Sequence, residues 1–131
     1  VIDKLQNEPI IETIWENGKN LSESVEKLVR TYDLNDVFSL GGMAPWKILS
    51  FGGTRTFNKE LLQSVFIQEM LKRGVLINSS HNICYAHQRK DYDIVEHSYD
   101  IVLRNLREAI DTKNLKACLD GPEIKPIFEV R

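Results

Sequence analysis

The stretch Val37-Phe38-Ser39-Leu40-Gly41-Gly42-Met43-Ala44-Pro45-Trp46-Lys47-Ile48-Leu49-Ser50-Phe51 decides how the rest of the chain is read. Val37, Phe38 and Leu40 lead into a glycine pair, and Pro45 precedes a second run of aromatic and branched residues. This predicts two short strands around a Gly/Pro bend. Pro45 has no N–H to give to a ladder, so it belongs at a strand start or a bulge. Gly52-Gly53 ends the unit with a second turn.

Helical patterns flank the unit on both sides. Upstream, Asn7 is a capping residue, Glu8 complements the helix dipole, and Pro9 suits a first turn. Ile11, Ile14, Trp15, Leu21, Val25, Leu28, Val29 and Tyr32 then form one apolar stripe, which Gly18 interrupts at an expected bend. Asp33, Asn35 and Asp36 read as the turn that stops this helix. Downstream, Asn58 caps a second helix with Leu62, Val65, Phe66 and Met70 on its buried side and Leu61 at the margin. Gly74 supplies the left-handed residue that ends it. Val75-Leu76-Ile77 and Ile83-Cys84-Tyr85-Ala86 read as short strands joined by the polar loop Asn78 to Asn82. A third helix starts near Asp91 and repeats Tyr92, Val95, Tyr99, Val102, Leu106 and Ile110. A short helical turn covers Asn114 to Leu119, and the segment from Gly121 to Arg131, with Pro122 and Pro126, reads as extended.

The order is helix, two strands, helix, two strands, helix, and each helix has one apolar face. The fold class this implies is α+β, a two-layer domain whose small, mostly antiparallel sheet is covered by helices on one face. With 131 residues and 42% apolar composition the chain is one domain, 1–131, with enough length for its own core. A net charge of −2 argues against a nucleic-acid footprint. Arg104 and Arg107 do not change this, since Asp100 and Glu108 are interleaved with them and make an ion-paired face. Only Cys84 and Cys118 are present, which is too few for a disulfide framework and fits a reducing, cytoplasmic compartment. No apolar run reaches the roughly 18 residues of a membrane span, and no signal peptide is recognisable. The chain begins at Val1, which reads as processing or excision.

Few residues point to chemistry. No phosphate-binding glycine motif is present, and Gly52-Gly53 ahead of Thr54-Arg55-Thr56 reads as a turn rather than an anion nest. His81, Cys84 and His87 are spaced by three, but residues three apart on a strand face opposite ways, so no metal site is expected. Cys84 is expected to be a small buried residue, His97 solvated, and Trp15 part of the core. Trp46, in an irregular stretch, is placed to face a ligand or another domain. The polar loop Asn78 to Asn82, held by a rigid sheet, is the most notable polar cluster and a place for binding, although composition alone favours a solvated turn. No catalytic residue is assigned, and no cofactor contact is identified.

The pieces also resemble a known family when taken in order. Phe66-Ile67-Gln68-Glu69-Met70-Leu71-Lys72-Arg73-Gly74-Val75-Leu76-Ile77 and Ser80-His81-Asn82-Ile83-Cys84-Tyr85-Ala86-His87 resemble the C-terminal domain of class III aminotransferases. The nearest subgroup in appearance is glutamate-1-semialdehyde 2,1-aminomutase and related aminotransferases of sugar and spore-coat pathways. Ile10 to Lys19 resembles the helix that opens this domain, Gly42 to Phe51 its strand pair, and Lys125 to Arg131 the end of the chain.

The resemblance implies a fold-type I, pyridoxal-phosphate-dependent parent enzyme. There the cofactor is the electron sink, while the protein orients the substrate. It implies that the Schiff-base lysine, the aspartate that pairs with the cofactor ring, and most phosphate contacts belong to a large domain of the same polypeptide. The parent would be a homodimer, with no nucleic-acid or membrane partner. None of the ten lysines here stands in a matching context, and Lys47, between apolar neighbours, is expected to face solvent. Ser80, His81 and Asn82 would be substrate-proximal. The loop holding them is shorter than in the aminomutase and lacks its acidic residue, which favours a related aminotransferase or aminomutase. Gln88, in place of the usual Ser or Thr cap, implies a weaker helix start. The alternative to this reading is a free-standing α+β module that binds a small ligand or regulates a partner. An exposed apolar patch, including Trp46 and the first helix, would favour the domain reading.

Overall fold

The computed structural model describes residues 2–125. A short helix α1 (Ile2–Asn7) precedes the long α2 (Ile10–Thr31), then strands β1 (Phe38–Met43) and β2 (Trp46–Phe51), helix α3 (Lys59–Lys72), strand β3 (Ser80–Asn82) and helix α4 (Arg89–Asp111). A 3-10 turn, Leu115–Cys118, follows. The three strands form one antiparallel sheet in the order β1-β2-β3. The fold is therefore α+β with a small antiparallel sheet. The expected extended character of 126–131 lies outside the described residues.

Local signals account for most boundaries. Asn58 Oδ1 accepts from the Leu61 N–H at 2.8 Å, the expected cap of α3. At its other end Gly74 takes φ +79°, Gly74 N–H reaches Leu71 O and Val75 N–H reaches Met70 O, a Schellman ending. Helix α4 is capped in a way its sequence did not suggest. The Asp91 carboxylate accepts from the Gln88 N–H at 2.8 Å, the half of a capping box in which the acid three residues in reaches back to the cap residue's backbone. Asn7 does not cap α2. Its side chain donates to Asp3 O inside α1, and Pro9 stands just before α2.

Gly18 does not bend α2, which runs unbroken from Ile10 to Thr31. The glycine is there for space: a Cβ at this position would lie 2.1 Å from Ala44 O, so the hairpin turn rests directly on the helix. Strand β1 continues through Gly41 and Gly42 to Met43, and the turn is Ala44-Pro45. Gly42 adopts φ +83° beside Trp46 O, a conformation and a closeness that a side chain would disturb.

Two corrections concern the second half of the sheet. Val75-Leu76-Ile77 and Ile83 to Ala86 are not strands, whereas the polar Ser80-His81-Asn82 is. The ladder is fixed by main-chain bonds: Leu49 N–H to Ser79 O and Ile83 N–H to Pro45 O bracket the pairing of Lys47 with His81. Strand formation here follows from the edge that β2 offers, not from side-chain propensity.

The core lies between the sheet and the helices. Phe38 packs against Phe51, Phe66 and Tyr99, with ring centroids 5.2–6.2 Å apart, which joins β1 and β2 to α3 and α4. Helix α2 closes the core from the side with Leu21, Val25 and Val29, against α4 and β1. No helix among the described residues is long and apolar enough to cross a membrane.

Candidate functional site

The strand pleat sends successive side chains to opposite faces. The register therefore sorts the sheet into two sets. Phe38, Leu40, Leu49, Phe51, Lys47 and His81 face the helices. Ser39, Met43, Trp46, Ile48, Ser50, Ser80 and Asn82 face the other way, where no described element covers them. Met43, Trp46 and Ile48 are 54%, 53% and 46% exposed. Met43 pairs with Trp46, and Trp46 pairs with Asn82, so the apolar side chains adjoin the polar pair Ser80 and Asn82.

The three candidate residues are thus not one cluster. Ser80 and Asn82 belong to the open face. His81 points inward and is 7% exposed, with Nε2 2.6 Å from Tyr99 Oη. Burial pushes the imidazole down to about 4 and the Tyr99 phenol well above its usual range. The reading of a polar loop missed this division, because the inward turn of His81 depends on a tyrosine 18 residues away. The periodic position of Tyr99 on the buried stripe of α4 was the available signal.

Beside the free edge of β3 lies a cleft of about 330 Å3. Its walls include Leu21 of α2, Val75 and Ile77 after α3, and Val95 of α4, and β3 lines it with Ser80, His81 and Asn82. Asp91 and His87 stand at its rim. Tyr92, also on this wall, is buried, and its Oη has no hydrogen-bond partner among the described residues; the Asn17 amide approaches without completing one. Burial raises the Tyr92 phenol.

Several expectations are corrected at this level. Cys84 is exposed, because it lies in the turn after β3 where the backbone has left the sheet. Its N–H donates to His87 Nδ1 at 3.2 Å. Among the described residues no three His, Cys, Asp or Glu side chains converge as metal ligands. Trp15 is 47% exposed rather than core, since the apolar stripe of α2 begins before the helix reaches the rest of the domain. Lys47 is half-buried on the helix side of the sheet, not solvent-facing, because it pairs with Gly42 and His81 at the inward pleat. His97 is exposed, as expected. Gly52-Gly53 is a turn whose Gly52 N–H donates to Val37 O at 3.0 Å.

The chain does not by itself fit pyridoxal phosphate. That cofactor needs a lysine amine in a pocket and an acid for its ring nitrogen. Nine of the ten lysines are exposed, and none lines the 330 Å3 cleft.

No protein-family model matches the chain, and no curated protein does. Among solved structures the fold is similar to the FumI protein of Sphingopyxis sp. MTA144, solved in its PLP internal aldimine form. The TM-score is 0.68 at 16% sequence identity, over 84% of this chain and 26% of that one. The chain thus spans about a quarter of that neighbour's length, and what the two share is the fold.

Proposed function

We propose that this chain is the C-terminal domain of a pyridoxal-phosphate-dependent aminotransferase or aminomutase, where it covers the substrate side of a site built elsewhere in the polypeptide. The observation that carries this reading is the likeness of the fold to a quarter of a chain solved with that cofactor. The open sheet face supports it. Met43, Trp46 and Ile48 make an apolar surface with no cover among the described residues, and Ser80 and Asn82 adjoin it with hydrogen-bonding side chains. In this arrangement the apolar group packs on the large domain, and Ser80 and Asn82 bind polar atoms of the substrate. His81 is withdrawn from that role by its inward position. The resemblance to the aminomutase subgroup narrows the reaction to amino-group transfer between or within small molecules, in a homodimeric cytoplasmic enzyme.

The test is borohydride reduction of the full reading frame's product followed by peptide mapping. The expected result is a pyridoxyl-lysine in a peptide outside residues 1–131. A pyridoxyl-lysine within this chain, at Lys47 for example, or a protein that takes up no cofactor, would overturn the proposal. The cleft beside β3 gives a second reading its one support: a module that binds a small ligand without a larger domain.

A further inference from the structure

Three features adjoin the proposed substrate face at β3: the buried His81–Tyr99 pair, the unpaired edge of β3, and the cleft beside them, which Ser80 and Asn82 also line. They are parts of one site. We propose that the cleft between β3, the Gly74–Ile77 segment and α4 binds an uncharged branched aliphatic carbonyl compound, whose oxygen accepts a hydrogen bond from the Nδ1–H of His81. This does not rest on the proposed function: Ser80 and Asn82 line the cleft as well as the outer face, but the cleft is formed within this chain and needs no second domain.

The argument begins with Tyr99. Its hydroxyl is fully buried, and a buried hydroxyl must donate somewhere. His81 Nε2, at 2.6 Å, is the partner it has among the described residues. Tyr99 therefore donates, Nε2 accepts, and the proton of the neutral ring sits on Nδ1. With its pKa held near 4 by burial, the ring is neutral at pH 7. Nδ1–H is then a donor without a partner among the described residues, on a side chain that is 93% buried and lines the cleft. Tyr92 Oη, on the same wall and without a partner among the described residues, is a second side-chain donor, and further donors belong to the backbone. Residues 79 and 83 bond to β2, so the main-chain groups of Ser80 and Asn82 turn to the unpaired edge.

The walls set the rest of the ligand. Leu21, Val75, Ile77, Ile83 and Val95 offer aliphatic surface from several elements, and about 330 Å3 is at the small end of the roughly 300–1,000 Å3 typical of small-molecule sites. Asp91 at the rim, with its carboxylate held by Gln88 N–H, disfavours a second negative charge. A carbonyl that is not a carboxylate meets the donor without meeting that charge.

The experiment is NMR on the 131-residue protein with isovaleramide as the probe. Long-range nitrogen–proton spectra should show His81 as the Nδ1–H tautomer. Isovaleramide should shift that proton and the Ile83 and Val95 methyls saturably, with affinity in the millimolar range expected of so small a ligand. Isovalerate should bind at least tenfold more weakly. 3-Methylbutylamine, an ammonium ion with the same body and no acceptor, should leave the His81 Nδ1 proton unshifted, whatever attraction Asp91 gives its charge. Val95→Phe, which fills the cleft and leaves the His81–Tyr99 pair in place, should lower isovaleramide affinity at least tenfold. An Nε2–H tautomer, absence of saturable shifts with isovaleramide, a shift of the His81 Nδ1 proton by the amine, equal binding of the carboxylate, or an unchanged affinity in Val95→Phe would each overturn the proposal.

Discussion

The two faces of the sheet are made by the same three strands and differ only in pleat phase. One face is finished within the chain: Phe38, Leu49, Phe51 and His81 meet Phe66 of α3 and Tyr99 of α4. The other carries residues of similar chemistry, Met43, Trp46 and Ile48, and nothing described covers them. Apolar character therefore does not determine burial here; the side on which the helices return does. The inner face supplies stability and the outer face is available for association, so changes to the two should have different consequences.

The largest contrast is Phe66→Ala. This ring is fully buried among three other aromatics, so its loss should cost about 3–5 kcal/mol of folding stability, measured by urea unfolding. A cost under about 1 kcal/mol would mean that the inner face is not the core.

Next in size is the pH dependence of the inner face. His81 has a folded pKa of about 4, below the usual 6.5. The unfolded chain thus binds the proton more readily, so stability is complete above pH 6.5 and is lost as pH falls toward 4. The loss should approach about 3 kcal/mol, and His81→Gln should flatten the slope in that window. The lowered carboxyl of Asp111, held down by Arg107, belongs to a lower pH range and does not mimic it. An unchanged slope in the variant would contradict the buried neutral imidazole.

Gly18→Ala tests the joint between α2 and the hairpin. Its new Cβ would meet Ala44 O, a backbone atom that cannot swing aside, so roughly 1–3 kcal/mol should be lost although alanine is the better helix former. A stabilised variant would show that the hairpin does not rest on the helix. The smallest effect belongs to the outer face. Trp46→Ser should change the stability of the isolated chain by less than about 0.5 kcal/mol and reduce its self-association in sedimentation. A loss like that of Phe66→Ala would erase the distinction between the faces.

Much of this was legible in the sequence. The helices announce themselves by period, by Asn58 and by Gly74, because burying one face of a helix fixes where apolar residues must recur. Strands β1 and β2 are legible for the same reason, with Pro45 in the turn just before β2. Strand β3 is not: Ser80, His81 and Asn82 carry no strand preference, and only the edge offered by β2 makes them one. The site was legible in part. Its position between Asn78 and Ile83 could be read, but not the opposite destinations of Ser80 and His81, which depend on register and on Tyr99. Cys84 was misplaced because the backbone leaves the sheet after Asn82, and Trp15 because an apolar stripe does not show where its helix begins to meet the rest of the domain.

The proposed function requires that the outer face be covered in the whole protein by a domain beyond this chain. Iodide quenching of Trp46 fluorescence in a Trp15→Phe background tests it directly, comparing the 131-residue chain with the product of the full reading frame, any further tryptophan in that product being replaced by phenylalanine. Trp46 should be freely quenched in the short chain and strongly protected in the long one. Equal quenching in both would contradict the claim.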